Sequence, residues 1–196
     1  MANSNAPMGL VPRRYRNGSP YMGAARTYYV PSTDATAIYP GDPVIIAGDG
    51  DATGVTPTCT LATAATGRIT GVCVGIRPGG NNTLIPPKYR AASTAEYILV
   101  ADEPDLLFEA QEDGVGGSLA ATNIGQNISL IAGSGNNYTG LSGWMIDSST
   151  AATTNTLQMR IISLVSRPDN VLGTTAKWLV ANNLPTETGA AGSLGI

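Results

Sequence analysis

No histidine occurs anywhere in this chain of 196 residues. That absence removes the commonest general base, the usual partner of a serine or cysteine nucleophile, and the commonest metal ligand. Cysteine is nearly absent too: Cys59 and Cys73 are the only two, with no Cys-x-x-Cys pair for zinc and no sign of a disulfide framework, so both are expected as reduced core residues. No apolar run approaches the roughly 20 residues that cross a bilayer, and residues 1–12 lack the basic and apolar regions of a signal peptide. A soluble protein made in the cytoplasm, with no membrane partner, is therefore expected. Charged residues make up only 13% of the chain, and Gly, Pro, Thr, Ser and Asn fill the places charge leaves empty. That mixture favours short strands and frequent turns over helices.

The length suits one domain with a real core. The net charge of −3 conceals a division: residues 1–33 carry Arg13, Arg14, Arg16 and Arg26 and no acid, so the remainder is at −7. Four arginines over such a length make a sparse patch for nucleic acid, and an acidic body repels phosphate. An acidic protein surface is at least as good a target, and no direct nucleic-acid contact is expected. The same leader is broken by four prolines and by the turn signal Asn17-Gly18, yet it contains Met8, Leu10, Val11, Tyr15, Tyr21, Tyr28 and Tyr29. Disordered tails are poor in aromatics, which points to an extended arm ordered by lying on a partner or on its own body.

Beyond the arm, strand signals recur between turn clusters. They fall at 26–30, 43–47, 69–76, 96–101, 106–111, 128–131, 144–147, 156–166 and 176–181. The pair 96–101 and 106–111, joined by Asp102-Glu103-Pro104-Asp105, reads as a hairpin whose second strand has one wet face. Leu157, Met159 and Ile161 alternate inward, but Ile162 and Leu164 continue on the other parity, as a β-bulge or a strand passing between sheets would produce. The reading is an all-β protein: a single compact barrel or sandwich over 34–182, an extended, mostly irregular N-terminal arm over 1–33, and a flexible C-terminal tail over 183–196.

Chemistry finds little purchase. The acids Asp102, Glu103, Asp105, Glu109, Glu112 and Asp113 could supply paired carboxylates for glycoside hydrolysis, with Glu109 and Glu112 the residues to test. The first three sit around Pro104 in the predicted hairpin loop, where the ordinary role of an acid is solvation. Asp49-Gly50-Asp51 resembles a fragment of a calcium loop without its closing Glu. Gly79-Gly80-Asn81-Asn82 and Gly114-Val115-Gly116-Gly117 lack the frame of a phosphate-binding loop and read as turns. No cofactor, metal or catalytic residue is expected, and the chain reads as a non-enzyme. A carbohydrate-binding β-sandwich using Trp144 or Trp178 is an alternative, although both tryptophans stand in apolar strand contexts.

Several stretches taken together resemble the structural cement proteins of tailed-bacteriophage heads: Asn5-Ala6-Pro7-Met8-Gly9-Leu10 with Arg13-Arg14-Tyr15, Asn17-Gly18-Ser19-Pro20-Tyr21, and Gly41-Asp42-Pro43-Val44. The same holds for Tyr97 to Asp105 leading into Phe108-Glu109, Asp147 to Thr154, and Leu157 to Ile161 followed by Arg167-Pro168-Asp169-Asn170. The resemblance spans most of residues 5–181 in order and weakens in 48–68 and after Asn182. It implies a β-rich decoration subunit on the outer surface of the virion capsid, binding the major capsid protein, often as a dimer or trimer, after synthesis in the bacterial host. A head fibre or tail accessory protein is the runner-up. The residues expected at the capsid interface are Arg13, Arg14, Tyr15, Arg16, Tyr21, Arg26 and Tyr28.

Overall fold

The computed structural model describes residues 3–78, 85–186, 192, 194 and 195. The fold is all-β: twelve strands and two single 3-10 turns, at Ala121–Asn123 and Ser148–Thr150, among the described residues. A closed barrel is built from β2 (Arg26–Val30), β3 (Pro43–Gly50), β4 (Pro57–Leu61), β5 (Gly71–Ile76) and β6 (Glu96–Ala101) in the order β2-β4-β3-β5-β6. Against it packs a five-stranded sheet of β1 (Val11–Tyr15), β7 (Leu106–Gln111), β12 (Lys177–Asn182), β11 (Met159–Leu164) and β8 (Asn127–Ile128), in the order β1-β7-β12-β11-β8. A small ribbon joins β9 (Leu130–Ile131) to β10 (Met145–Ile146).

The alternation of side chains along the strands creates two cores. Inside the barrel, Tyr28, Val30, Ile38, Val44, Cys59, Cys73, Ile98 and Val100 form one buried cluster. The other lies between barrel and sheet, where Val72 and Ala101 from the barrel's outer surface meet Phe108, Ile161, Trp178 and Val180 from the sheet. Burial pushes the Cys59 thiol up to about 12 and raises Cys73 as well, so both stay protonated and unreactive. One end of the barrel is tied by a wholly buried arginine. Arg90 donates to the carbonyls of Pro31, Asp34, Thr36 and Thr94, with the Asp34 carboxylate 3.7 Å away.

Three expectations change. The predicted hairpin does not form: 96–101 and 106–111 are strands, but β6 pairs with β2 and β5 while β7 pairs with β1 and β12. Residues 102–105 are the crossover from barrel to sheet. The second strand has no wet face either, since every residue of β7 is buried. Gln111 is covered by Asn5 and the amide of Ala6, and Glu109 by arginines described below.

The leader lies on its own body, one of the two resting places expected for it, but with more regular structure than expected. Residues 11–15 form the sheet's edge strand β1, which the prolines had argued against, and residues 26–30 close the barrel. Pro12 is tolerated because an edge strand leaves one side free of ladder bonds. The chain then turns at Gly18 and folds back along β1: Tyr15 N donates to Ser19 O at 2.8 Å and Tyr21 N to Arg13 O at 3.0 Å. Two glycines weld the leader to the barrel. Gly9 and Gly41 both have positive φ, Leu10 N donates to Gly41 O at 2.9 Å, and a Cβ at Gly9 would lie 2.3 Å from that oxygen. Only glycine permits both the conformation and the approach.

At the other terminus, Asn183 is buried, and Ile69 exchanges backbone bonds with Leu184 and Thr186. Residues 183–186 are thus docked on the barrel, while half of the expected tail, and the turn expected at Gly79 to Asn82, lie outside the described residues. The parity change in 156–166 is a β-bulge as anticipated: Ile161 pairs with Val180 and Ser163 with Leu179, leaving Ile162 as the extra residue.

Candidate partner-binding groove

The basic leader and the acidic segment 102–113 meet each other. Arg13 Nε lies 2.8 Å from Glu109 Oε2, Arg26 Nε 3.4 Å from Asp102 Oδ2, and Arg16 Nε 3.7 Å from Asp105 Oδ1. Only the Arg16–Asp105 pair is exposed on both sides, and such a pair contributes roughly 0–1 kcal/mol; together the three pairs spend most of the leader's charge within the molecule. The acidic surface sought for the arm is largely its own.

Arg14 is the exception, and backbone geometry explains where it points. In β1 the register passes from Pro12 opposite Phe108 to Arg14 opposite Leu107, which leaves Arg13 as the extra residue of a bulge. Consecutive residues of a regular strand face opposite sides. Here the bulge turns both Arg13 and Arg14 toward the sheet face away from the barrel. On that face a groove of about 410 Å³ runs from β1 across β7 and β12 to β11, and the β11 bulge, with its extra residue Ile162, borders the far side. Four neighbouring strands span about 14 Å.

The floor is apolar: Leu179 and Val165 belong to a small cluster with Leu107, Ala181 and Ile162 on the outer face. Into it projects Glu109, whose side chain is 4% exposed. Its two oxygens are shared between Arg13 and Arg167, with Arg167 Nη1 2.8 Å from Oε1. A buried carboxylate would be costly alone, and two guanidinium partners offset that cost. Arg167 is placed by Asn170, which donates to Val165 O and Lys177 O and accepts from Lys177 N, all at 2.8 Å, fastening the 166–170 loop to the sheet. Sequence reasoning named Arg13 and Arg14 but missed Glu109 and Arg167 as their companions. The available signal was the complementary charge of leader and acidic segment, together with the Arg167 to Asn170 motif.

The other expected interface residues separate from this pair. Tyr15 and Tyr21 are half-buried against the sheet core, and the Tyr21 hydroxyl donates to Ala24 O at 2.9 Å. Arg16 and Arg26 face the 102–105 crossover. Tyr28 is removed from any surface: it is 2% exposed in the barrel core and its hydroxyl donates to Asp102 Oδ2 at 2.9 Å. A second groove of about 390 Å³, apolar in character, opens beside the leader between Met8, Tyr21, Val74 and Leu141.

The alternative chemistries do not assemble. Glu109 faces the outer groove while Glu112 is fully buried on the inner side, where its Oε2 accepts from Leu119 N at 2.8 Å. The two cannot flank one scissile bond. Burial pushes the Glu112 carboxyl upward, against the Leu119 amide, which favours the ionised form. Trp144 and Trp178 are both buried and offer no aromatic platform to a sugar. Asp51 organises its own loop, accepting from Thr53 and Val55. No grouping of three metal-ligating side chains occurs among the described residues, and no helix there is long and apolar enough to cross a membrane. Compared with known proteins, the chain matches no family model, no curated protein and no solved structure.

Proposed function

We propose that this chain is a structural cement or decoration subunit that binds the outer surface of a tailed-phage capsid and stabilises contacts between major coat protein subunits. The observation that carries the reading is the groove: a preset guanidinium pair and a free arginine over an apolar floor, built from the segments whose order resembles cement proteins. Such a surface suits a protein partner. Its chemistry is adhesive: Glu109 and Asp102 are held by arginines, and Asp102 by the Tyr28 hydroxyl as well. A cement also has to present a rigid body to its lattice, and the leader folded onto its own sheet supplies that rigidity in place of a loose tether. Many modest contacts repeated over a shell, through a dimer or trimer, add up by multivalency.

Particles lacking this chain, mixed with the purified protein and imaged by cryo-electron microscopy, test the proposal. Density for the subunit outside the shell at junctions between capsomers is the expected result, with better retention of packaged DNA on heating. Mature heads that never carry the subunit, or density confined to the tail, would overturn it.

A further inference from the structure

We infer that the outer-face groove is a receptor for an extended acidic segment of a partner protein, with the partner's carboxylate held by Arg14 and by the unused donors of Arg13 and Arg167. This deepens the structural-subunit reading and rests on it.

The donor inventory is the first argument. Among the described residues Arg13 uses only Nε, on Glu109, which leaves both of its terminal NH2 groups; Arg167 uses Nη1 on Glu109 and Nε on Asp169 at 3.3 Å, which leaves Nη2. Arg14 is exposed and has no ion-pair partner among the described residues, which leaves its five donors to the groove. Three guanidinium groups against the two carboxylates of Glu109 and Asp169 leave the groove one positive charge in excess. Glu109 stands in for the ligand's chemistry: it shows two arginines already oriented to grip a carboxylate, with little ordering left to do on binding.

Shape supplies the second argument. Two β-bulges border the groove, one aiming consecutive arginines into it and the other bringing Ser163, Leu164 and Val165 together along its far side. Bulges serve to redirect side chains in this way. The floor of Leu179 and Val165 suits the apolar side chains of an extended peptide, whose acidic residues then meet the arginine rim. Nucleic acid suits it poorly. Affinity for a phosphate backbone grows with the number of phosphates neutralised, and one spare cation on a chain of net charge −3 neutralises few.

The test is a titration of the full-length protein, isotopically labelled for NMR, with a short peptide alternating glutamate and leucine at low ionic strength. Its glutamine-leucine counterpart and a thymidine oligonucleotide are titrated in parallel. The acidic peptide should shift the amides of Arg13, Arg14, Leu179 and residues 163–167. Replacing Arg14 by Gln should weaken it about tenfold, the loss of one charge-assisted contact, while Arg77→Gln on the barrel leaves it unchanged. Equal binding of the glutamine peptide, preference for the oligonucleotide, shifts elsewhere, or no effect of Arg14→Gln would each overturn the inference. Capsid decoration measured with the same proteins separates the two claims. Decoration unaffected by Arg14→Gln would overturn the groove and leave the cement reading standing, whereas peptide binding in the groove without any capsid binding would sustain the groove and overturn that reading.

Discussion

Single buried polar residues govern much of this molecule's behaviour, and Asp42 shows how. It is 2% exposed at the turn entering β3 and accepts from Tyr39 N at 2.8 Å and from the Ser142 hydroxyl. Those bonds do not offset burial, which pushes its carboxyl from the ordinary 3.8 up to about 6. A carboxyl with a raised folded pKa binds its proton more tightly in the native state, so its contribution is fully present below the unfolded pKa and is lost as pH rises through the folded one. Stability should therefore fall by about 3 kcal/mol between about pH 3 and 7 on account of this residue, with Glu112 acting in the same direction. Urea unfolding of the wild type and of Asp42→Asn across that range checks it: the variant's curve should be flatter, and an equally steep one would show that another group is responsible. Arg90 illustrates the opposite limit of legibility. Nothing in its neighbourhood in the sequence marks it as buried, because the carbonyls that hold it come from residues 31, 34, 36 and 94 and converge only when the barrel closes.

At the scale of elements, strand positions were readable and strand partners were not. The stretches near 26–30, 96–101, 106–111 and 176–181 became β2, β6, β7 and β12 almost residue for residue, since alternation and flanking turn residues are local properties. The bulge in β11 was legible for the same reason, as a change of parity. Pairing is a property of two distant segments, so adjacency suggested a β6–β7 hairpin that the molecule does not contain. β1 was missed because Pro12 read as a breaker, whereas it is harmless at an edge; just before the strand, Gly9 is the contact point with Gly41. That contact yields a prediction about the leader. Gly9→Ala adds a Cβ 2.3 Å from a backbone oxygen at a φ of +70, and left-handed strain plus overpacking should cost about 2–4 kcal/mol. Thermal denaturation reads this loss, and protection of the β1 amides from hydrogen exchange should fall before that of β12. Wild-type stability in Gly9→Ala would mean that residues 8–10 are not fastened as described. Removing residues 1–25 outright should likewise destabilise the body, because it withdraws Leu10 from the core and uncovers the edge of β7.

For the whole molecule, the question is whether barrel and sheet behave as one unit. The cluster between them takes residues from both, so neither can lose its partner without exposing apolar surface, and a single cooperative transition is expected. The two regions carry their own reporters. Trp144 and Trp178 lie in the shared cluster and Cys59 and Cys73 inside the barrel, so tryptophan fluorescence and thiol labelling should follow one denaturant curve; two separated midpoints would reveal independent folding. Composition and patterning by themselves determined that the chain is all-β, that it has no histidine-based chemistry and that its charge is divided between a basic leader and an acidic remainder, because each of these is a sum over residues or a run of neighbours. Only the tertiary structure decided that the two charged regions neutralise one another, that the leader is an edge strand, and that Arg13, Arg14, Glu109 and Arg167 share one groove. Those facts depend on which distant segments lie side by side, and sheet pairing is set by the burial of whole faces, which no local stretch of residues encodes.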